Sequence, residues 1–511
     1  MGLEPWLGAT AAIAVTVTGG LWAVLTRQSD SKTEQRCAEW IAAVSAIMVV
    51  GAGLSALAWP ASPRTGLWLR IDLVATAVGL LVTIVGWASL RFARVQLRGE
   101  PGARAFSGWL LLALAGGLLS AFSDHIVLTL LGWVLASLSL HAPIRFRATR
   151  AASRLAAQRK FWIDRIAEGL LATAIVILLA KVGDGRFGAI GSQAANLGPW
   201  TPWVAGLVAG AVILRSAQLP FQGWLLELLE APTPVSAILH AGLISAGGLL
   251  LMRLSSVMGE APLVMAALAL VGGASALLAG LVQTAQPAAK TALVWSTIAQ
   301  MGFMLLECGL GLYPLALLHI LAHGLYKAKA FLWASNAVDL VSTQRRLGPV
   351  AAPGPRAILG ALAIAMAAYG LADALMGAAE RPLQAHVMGM ILVLGVGYLL
   401  AQGLADAAPA GLTLRLVSVS LATFVAYFAL QTLAWRLTVD AFARPPAPGP
   451  LQIAILALSI ITFAALVVFQ AALPRWRNHP WISRLRVHFA SGLYLDLIFN
   501  RLARRALAKE A

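Results

Sequence analysis

The residues of this chain that could move protons lie inside its most apolar segments. His319, His323 and Lys327 follow one another at intervals of four residues, so they share one face of a helix. A proton crosses hydrocarbon by passing among titratable groups and water, which requires such groups within hydrogen-bond reach of one another. A lone buried histidine is usually structural, but three titratable side chains in register indicate ion conduction. Lys329 lies on another face, where an interfacial position explains it equally well.

A second unusual segment runs from residue 215 to residue 253. Its apolar sequence carries Arg215, Glu227, Glu230 and His240 and is interrupted by Pro220, Pro232 and Pro234. A charge at the centre of a bilayer helix costs roughly 2.5–3.5 kcal/mol on insertion scales. Irregular backbone at that depth is tolerated only where protein or water surrounds it. The segment therefore predicts a broken, hydrated helix on an ion path.

Other charged residues near the ends of apolar segments allow two interpretations. Glu168 follows Arg165 by three residues, so the two form an ion pair either on the ion path or, near Lys160, at the end of the helix. Asp124 begins a span, where it either takes part in ion translocation or caps the helix. Lys290 also begins a span, where conduction and snorkelling to the interface both explain a lysine.

The elements that must position these residues are membrane helices. Of 511 residues, 59% are hydrophobic and only 12% are charged, and the mean hydropathy is +0.81. Apolar runs of about 20 residues, the length that spans a bilayer, recur from end to end. The predicted spans are 5–26, 38–58, 70–90, 106–122, 125–142, 163–181, 203–225, 233–252, 261–283, 290–309, 313–337, 357–377, 385–405, 415–435 and 451–472. We therefore predict an all-α polytopic membrane protein with about 14–15 transmembrane helices.

Spans 4–8 and 9–13 divide the chain into two five-helix units. An odd number of spans per unit inverts the second unit relative to the first. The predicted order is N-terminal helices in 1–105, a first repeat in 106–252, an inverted second repeat in 261–405, C-terminal helices in 415–472 and a basic amphipathic tail in 473–511. Span 7, expected to be discontinuous at Pro220, then corresponds to span 12, whose Asp373 is a possible ion-path residue.

Lysine and arginine are distributed unevenly between the loops on the two sides of the membrane. One side carries 25 of them and the other carries seven. Cytoplasmic loops retain positive charge, so the bias places the N-terminus outside and the C-terminus in the cytoplasm of a bacterial inner membrane. Basic loops that face an anionic lipid leaflet also account for the net charge of +17 without a nucleic-acid partner. The first span lacks a preceding basic region and a small-residue cleavage site, so we expect a retained helix.

Two basic segments on the cytoplasmic side are candidates for contacts with other molecules. The loop 142–162 contains Arg145, Arg147, Arg150, Arg154 and Arg159. It is either a positive-inside loop or a docking surface for a cytoplasmic partner. In the tail, apolar residues recur at helical spacing from Leu493 to Leu502, which predicts an amphipathic helix on the membrane or on a partner. Cys37 and Cys308 match no ligand spacing, so we expect no metal site or cofactor in this chain.

Four sequence motifs occur in an order that carries a family resemblance. They are RSAQLPFQGWL from Arg215, APTPVSAILHAG from Ala231, KTALVWSTIAQMGF from Lys290 and LLHILAHGLYKAKAFL from Leu317. Over roughly residues 70–405 the chain resembles the antiporter-like, proton-translocating subunits of respiratory complex I, Mrp antiporters and membrane hydrogenases. The resemblance implies about fourteen helices in two inverted five-helix repeats, discontinuous spans 7 and 12, and a hydrated polar axis along the midplane.

The resemblance also implies which residues form the ion path. They are Glu168, Arg215 in the place of a lysine, His240, Lys290, His319, His323 and Lys327, with Arg165 as the ion-pair partner of Glu168. Two positions depart from the family pattern. Val134 stands where a glutamate is expected, so Arg215 is expected to lack its acidic partner. Arg215 does not release its proton at physiological pH, so we expect it to be a fixed charge that sets the field for its neighbours.

These departures, with GWVLASLSLH and SGLYLDLIFNRL, resemble a narrower branch, the DabB membrane subunits of DAB-type inorganic-carbon transporters. That resemblance implies a DabA-like cytoplasmic zinc protein as partner, so zinc is expected in the partner and not in this chain. Ion flow through the membrane subunit would drive one-way hydration of CO2 in the partner. The alternatives are an antiporter-like subunit of a respiratory, hydrogenase or Mrp-type complex, and a passive membrane anchor for an enzyme.

Overall fold

The computed structural model describes residues 5–25, 32–58, 65–66, 68–147, 149–334, 353–375, 381–404, 410–476, 479–498 and 501. The helices within these residues are α1 Pro5–Leu25, α2 Lys32–Ala58, α3 Leu73–Gln96, α4 Ala103–Phe122, α5 Ile126–Ile144, α6 Ala151–Val182, α7 Phe187–Ser192, α8 Thr201–Arg215, α9 Gly223–Glu227, α10 Thr233–Ile238, α11 Ala246–Arg253, α12 Ser255–Gly259, α13 Pro262–Thr284, α14 Ala289–Gly309, α15 Tyr313–Trp333, α16 Pro355–Leu375, α17 Leu383–Gly403, α18 Ala410–Thr438, α19 Pro450–Trp476 and α20 Pro480–Ala490. Two short strands, β1 Thr65–Gly66 and β2 Leu69–Arg70, pair antiparallel.

Thirteen of the described helical segments are long and apolar enough to cross a bilayer. They correspond to thirteen of the predicted spans and confirm the all-α polytopic fold. The two remaining predicted spans, 163–181 and 313–337, correspond to the long helices α6 and α15. Both are less apolar because they carry several charged or titratable side chains. These two helices, which fit a bilayer least well, carry Glu168, His319, His323 and Lys327 of the candidate ion path.

Close helix packing brings glycines of neighbouring helices against each other's backbone. A Cβ atom on Gly116 of α4 would lie 2.5 Å from the backbone nitrogen of Ala136 in α5. A Cβ atom on Gly302 of α14 would lie 2.6 Å from the carbonyl oxygen of Gly272 in α13. Lipid tails are as apolar as leucine, so helices associate in a membrane largely through such close van der Waals packing. These glycines fix the distance between the helices that flank the polar interior.

Span 7 is discontinuous, as the sequence predicted. Helix α8 ends at Arg215, and α9 begins only at Gly223, after a cis Leu219–Pro220 peptide bond. The backbone between them finds partners within the protein: the Leu219 N–H donates to the Ser275 hydroxyl at 3.2 Å. By contrast, span 12 is a continuous helix over Pro355–Leu375, so the break that the resemblance implied there is absent from the described residues.

The helix that follows the break is itself irregular. Residues Leu239–Leu243 form a π-helical turn between α10 and α11. Short π segments inside α-helices occur frequently at functional sites, because the extra residue turns side chains away from their regular positions. Here the turn contains His240, which is 1% exposed. The whole Thr233–Arg253 segment is almost entirely enclosed by other helices.

One end of the bundle carries the exposed Arg145 and Arg150 and the C-terminal segment, and it is called the basic end; the other is the opposite end. The predicted amphipathic helix of the tail is interrupted. Helix α20 ends at Ala490, and Gly492, Leu493 and Tyr494 have positive φ angles before a short helical stretch resumes. Leu502 lies outside the described residues.

At the opposite end, a network of charges joins distant parts of the chain. Arg253, at the end of α11, donates through Nη2 to Asp72 at 3.1 Å, and Asp72 caps α3 by accepting from the Ala75 N–H. Arg70 contacts Asp72 at 3.1 Å and Asp124 at 3.8 Å. The cap of α5 is the His125 side chain, so the interpretation of Asp124 as the capping residue is wrong.

Replacing Arg253 with leucine is expected to destabilise the protein by about 3–5 kcal/mol, because a buried Asp72 carboxylate loses its principal partner. The matched control is Arg150→Leu, whose 3.7 Å contact with Glu230 joins side chains that are 57% and 43% exposed. A pair of that kind contributes about 0–1 kcal/mol. Thermal unfolding of the two variants in detergent measures the difference. Equal melting temperatures would show that the Asp72 network does not hold the helices together.

Candidate functional site

The interior of the first half of the bundle contains five charged residues in contact. They are Lys160, Asp164, Arg165 and Glu168 of α6 and Arg215 of α8, and they are called the first cluster. All except Arg165 are less than 7% exposed. Ionised groups are strongly disfavoured in hydrocarbon unless they are paired, so this concentration of charge stands out from the apolar helices around it.

Helix α6 positions most of the first cluster through its own periodicity. Lys160, Asp164 and Glu168 are four residues apart and lie on one face, and Lys160 donates directly to Asp164. The Ser137 hydroxyl of α5 donates to Glu168 Oε1 at 2.8 Å. Arg165 Nη2 lies 2.6 Å from Glu168 Oε2, which confirms the predicted ion pair. Lys160 lies on the same face and is bonded to Asp164.

Arg215 is held at the end of α8 by an aromatic ring and two carboxylates. Its guanidinium carbon lies 4.4 Å from the centre of the Trp133 ring. Its Nη1 atom lies 3.8 Å from Glu168 Oε1 and 4.0 Å from Asp164 Oδ1. The expectation that Val134 leaves Arg215 without an acidic partner is therefore wrong. Helix α6 supplies two carboxylates where α5 supplies none.

A small cavity lies beside these charges. It measures about 10 Å³ and is lined by Ser137, Lys160, Asp164, Arg215 and Trp224 among others. A polar cavity of this size admits about one water molecule. Arg215 Nη1 is buried and makes no direct hydrogen bond. One water in the cavity would satisfy that donor and join it to the carboxylates, as bridging waters do in many polar sites.

A second cluster lies between α14 and α15 and is defined by Glu307, His319, His323 and Lys327. The structure confirms that the last three share a face of α15, and Lys327 is 0% exposed. Lys327 Nζ donates to the Leu293 carbonyl of α14 at 2.8 Å. The ring centres of His319 and His323 are 6.1 Å apart, too far for a direct hydrogen bond but within reach through one water.

Glu307 extends this row of titratable groups toward the opposite end of the bundle. It lies near the end of α14, is 2% exposed, and its Oε2 atom is 3.2 Å from His319 Nδ1. The tight turn between Gly309 and Tyr313 brings α14 and α15 together antiparallel, which places the carboxylate beside the imidazole. The second cluster thus runs from an amine to a carboxylate across two imidazoles.

His240 and Lys290 flank the second cluster from other helices. The His240 ring stacks on Phe331 of α15, with ring centres 4.4 Å apart, and its Nδ1 atom is buried without a hydrogen-bond partner. Leu239 and Leu243, in the same π-helical turn, line the small cavity of the first cluster. The turn therefore lies against the cavity of the first cluster and against α15, the helix that carries most of the second. Lys290 Nζ donates to the Thr233 hydroxyl at 3.2 Å, which ties the start of α14 to α10.

The possible site residue Asp373 lies away from both clusters, at the opposite end of the bundle. Its Oδ1 atom accepts from Arg381 at 3.2 Å, and its Oδ2 atom lies 3.3 Å from His386 Nε2. Asp124, a second possible site residue, belongs to the Asp72 network and not to either cluster. The structure therefore brings eight predicted residues, Arg165 among them, into or beside two clusters and leaves these two outside.

The arginines of the predicted docking loop differ in their surroundings. Arg145, Arg150 and Arg154 are exposed at the basic end, and Arg147 is half-buried. Arg159 is different, because it donates to Glu227 of α9 and lies 3.8 Å from Asp496 of the C-terminal segment. The Gln286 amide also donates to the Phe489 carbonyl at 3.2 Å. The C-terminal segment 480–498 therefore lies across both halves at the basic end.

Sequence reasoning missed Lys160, Asp164, Ser137 and Glu307. Lys160 and Asp164 precede Glu168 at intervals of four residues, which places all three on one helix face. The predicted span 163–181 begins too late to include Lys160, whereas α6 begins at Ala151. Glu307 is an acid near the end of an apolar span, which is itself a signal of function. Its partner, however, is twelve residues away on another helix, and no sequence spacing defines that contact.

Comparison with known proteins shows similar sequences and folds. A family model described as NADH:quinone oxidoreductase/Mrp antiporter, TM, matches residues 123–350. The chain is 35% identical over 359 residues, 68% of its length and 67% of the relative, to the "Probable inorganic carbon transporter subunit DabB" of Hydrogenovibrio crunogenus. It is 35% identical over 282 residues to the "Probable inorganic carbon transporter subunit DabB2" of Halothiobacillus neapolitanus, covering 53% of this chain and 50% of that relative. A structure of the Mrp complex from Dietzia sp. DQ12-45-1b has a TM-score of 0.64 at 21% identity, covering 98% of this chain and 59% of that one.

The contact of Glu227 with the C-terminal segment is expected to depend on pH. Burial raises the pKa of Glu227 from its ordinary value of 4.5 to about 7, despite the opposing charge of Arg159. Because the pKa of Glu227 is higher in the folded contact, protonation of this carboxyl favours the contact. The stabilisation is complete below the ordinary pKa of 4.5 and is lost as the pH rises through about 7. Above that pH, the Glu227 and Asp496 carboxylates repel each other and compete for Arg159.

The protection factors of the amides in residues 480–498, which correct the exchange rates for the intrinsic effect of pH on amide exchange, should therefore be lower at about pH 8 than at about pH 6. Glu227→Gln removes the ionisation and should abolish this difference, whereas Glu230→Gln, which alters a more exposed carboxylate, should preserve it. An unchanged pH dependence in Glu227→Gln would show that another group controls the segment.

Proposed function

The chain belongs to the antiporter-like family of membrane subunits that includes the DabB subunits of inorganic carbon transporters, and on this basis we propose that it conducts a cation whose flow energises a partner protein. The observation that carries the proposal is the pair of buried clusters on either side of His240. Together they form a discontinuous row of titratable groups through a bundle whose buried side chains are mostly apolar. A passive anchor would gain nothing from burying so many charges, because each is costly in hydrocarbon.

The residues divide into groups that exchange protons and groups that hold a fixed charge. Glu168, Asp164 and Lys160 are titratable and lie within one hydrogen-bonded group around Arg215. Arg215 keeps its charge and acts on the ionisation of its neighbours. In the second half, Lys327, His323 and His319 form the relay, and His240 and Lys290 connect it to α10. The ion carried is a cation, and among cations a proton suits amine and imidazole groups best.

The energy available to such a subunit is sufficient for solute accumulation. One charge that moves through about 150 mV releases roughly 3.5 kcal/mol. This free energy corresponds to about a 300-fold concentration ratio of a neutral solute. The coupling of one ion to one turnover in a partner would therefore support substantial accumulation.

The partner in this proposal is a DabA-like cytoplasmic zinc protein that hydrates CO2 to bicarbonate and a proton. The relatives that are named as inorganic carbon transporter subunits support this assignment. The hydration chemistry would lie in the partner, so this chain is a transporter subunit and not an enzyme. The basic end, with Arg145, Arg147, Arg150 and Arg154, would face the cytoplasm of a bacterial inner membrane and offer the partner a positively charged surface.

Replacing Lys327 with methionine should abolish carbon uptake, because it removes the amine between α14 and the histidines. The matched control is Lys329→Met, two residues away, where the side chain is exposed and lies 5.2 Å from the Trp333 ring centre. Each variant is expressed with its partner in a host that cannot accumulate inorganic carbon, and growth in air is measured. Lys329→Met should grow like the wild type. Growth of Lys327→Met in air would remove this residue from the ion path.

Replacing Glu168 with glutamine tests the first cluster in the same way. The substitution keeps the side-chain volume but leaves Arg165 and Arg215 with fewer negative neighbours, so we expect uptake of labelled inorganic carbon to fall at least about tenfold. A protonophore should abolish uptake by the wild type. Uptake that persists with the protonophore would instead identify the chain as a passive anchor.

A further inference from the structure

A large groove opens at the opposite end of the bundle, between α15, α16, α17 and α18. Its volume is about 1340 Å³. The described lining includes three arginines, Arg381, Arg436 and Arg444, together with Gln431 and Thr432 and no carboxylate. Arg436 and Arg444 are exposed, whereas Arg381 points inward to the floor. The groove therefore brings solvent to Arg381 through a positively charged entrance.

Arg381, at the floor of the groove, joins a small group of charged residues beside it. Arg381 donates through Nη1 to Asp373 at 3.2 Å and through Nη2 to the Thr432 hydroxyl at 3.0 Å. The second Asp373 oxygen lies 3.3 Å from His386 Nε2. The Asp373 side chain is 12% exposed and the His386 side chain is 30% exposed. His386 is thus the titratable member of the group that is most accessible to solvent.

Tyr427 of α18 lies between this group and the second cluster. Its ring packs against two apolar clusters. One cluster includes Leu306 and the other includes Tyr369. Its hydroxyl is buried and makes no hydrogen bond with the described residues. The charges of Glu307, Asp373 and Arg381 all act on that hydroxyl. A buried hydroxyl without a partner is costly, and water or a changed rotamer that joins it to both sides would satisfy it.

We propose that Glu307, Tyr427, Asp373 and His386 form the port through which protons pass between the second cluster and the groove. The proposal deepens the proposed function and rests on it. Glu307 is already 3.2 Å from His319, so the port continues the row that begins at Lys327. Tyr427 transfers a proton by donating its own to one neighbour and accepting another from the opposite side. His386 exchanges protons with water in the groove.

The chemistry of this port selects protons over sodium ions. Arg436 and Arg444 at the entrance repel a metal cation, whereas a proton passes by transfer between waters and side chains and needs no hydrated ion to enter. Hard metal cations also require several converging oxygen ligands. The port instead alternates imidazole, phenol and single carboxylate groups. Each of these groups can accept and donate a proton.

The test uses the full chain with its partner in proteoliposomes, under an imposed membrane potential and with a pH-sensitive dye inside. Tyr427→Phe removes one oxygen atom and should lower proton flux at least about tenfold, and Glu307→Gln should lower it on the order of 100-fold. The matched controls are Tyr398→Phe, in α17 and outside the port, and Glu260→Gln, an exposed acid, and both should conduct like the wild type. Gel filtration with the partner establishes that each variant is folded.

The variant Lys327→Met distinguishes a failure of the port from a failure of the proposed function. If Lys327→Met stops proton flux while Tyr427→Phe and Glu307→Gln conduct like the wild type, the port is wrong and the proposed function stands. If Lys327→Met itself conducts normally, the proposed function fails. Radioactive sodium uptake by the wild type should be absent under the same potential. Sodium flux equal to proton flux would overturn the selectivity.

Discussion

The cost of a charge in hydrocarbon governs this structure. Arg215 ends a membrane helix and is almost fully buried, so the protein must surround it with compensating groups. It does so with the Trp133 ring and with two carboxylates from α6. Those carboxylates in turn bind Lys160 and Arg165, and the charges extend into a cluster.

The two clusters depend on irregular backbone between them. In a regular helix over residues 233–253, the same stripe of apolar side chains would face a given neighbouring helix along its whole length. The π-helical turn at Leu239–Leu243 instead turns His240 toward Phe331, while Leu239 and Leu243 face the cavity beside Arg215. One short segment thus contacts both halves. In the proposed function, this segment is the route by which a change of ionisation in one cluster would act on the other.

The sequence predicted a large part of both the fold and the site. Hydropathy placed the spans, since a bilayer demands about 20 apolar residues for each crossing. Prolines at 220, 232 and 234 predicted the break in span 7. A period of four predicted the shared face of His319, His323 and Lys327, because helix geometry alone brings such residues together. The pairing of Arg165 with Glu168 followed from the same geometry.

Contacts between helices were decided only by the tertiary structure. Val134 suggested that Arg215 had lost its acid, yet Asp164 and Glu168 reach it from α6, because helix packing places α6 beside α8. Glu307 meets His319 across a turn, and Tyr427, from a helix more than a hundred residues away, packs against the apolar cluster that includes Leu306. The sequence by itself determined which residues share a helix face, since that depends on local geometry. Which faces meet depends on packing over the whole bundle, and no local spacing specifies it.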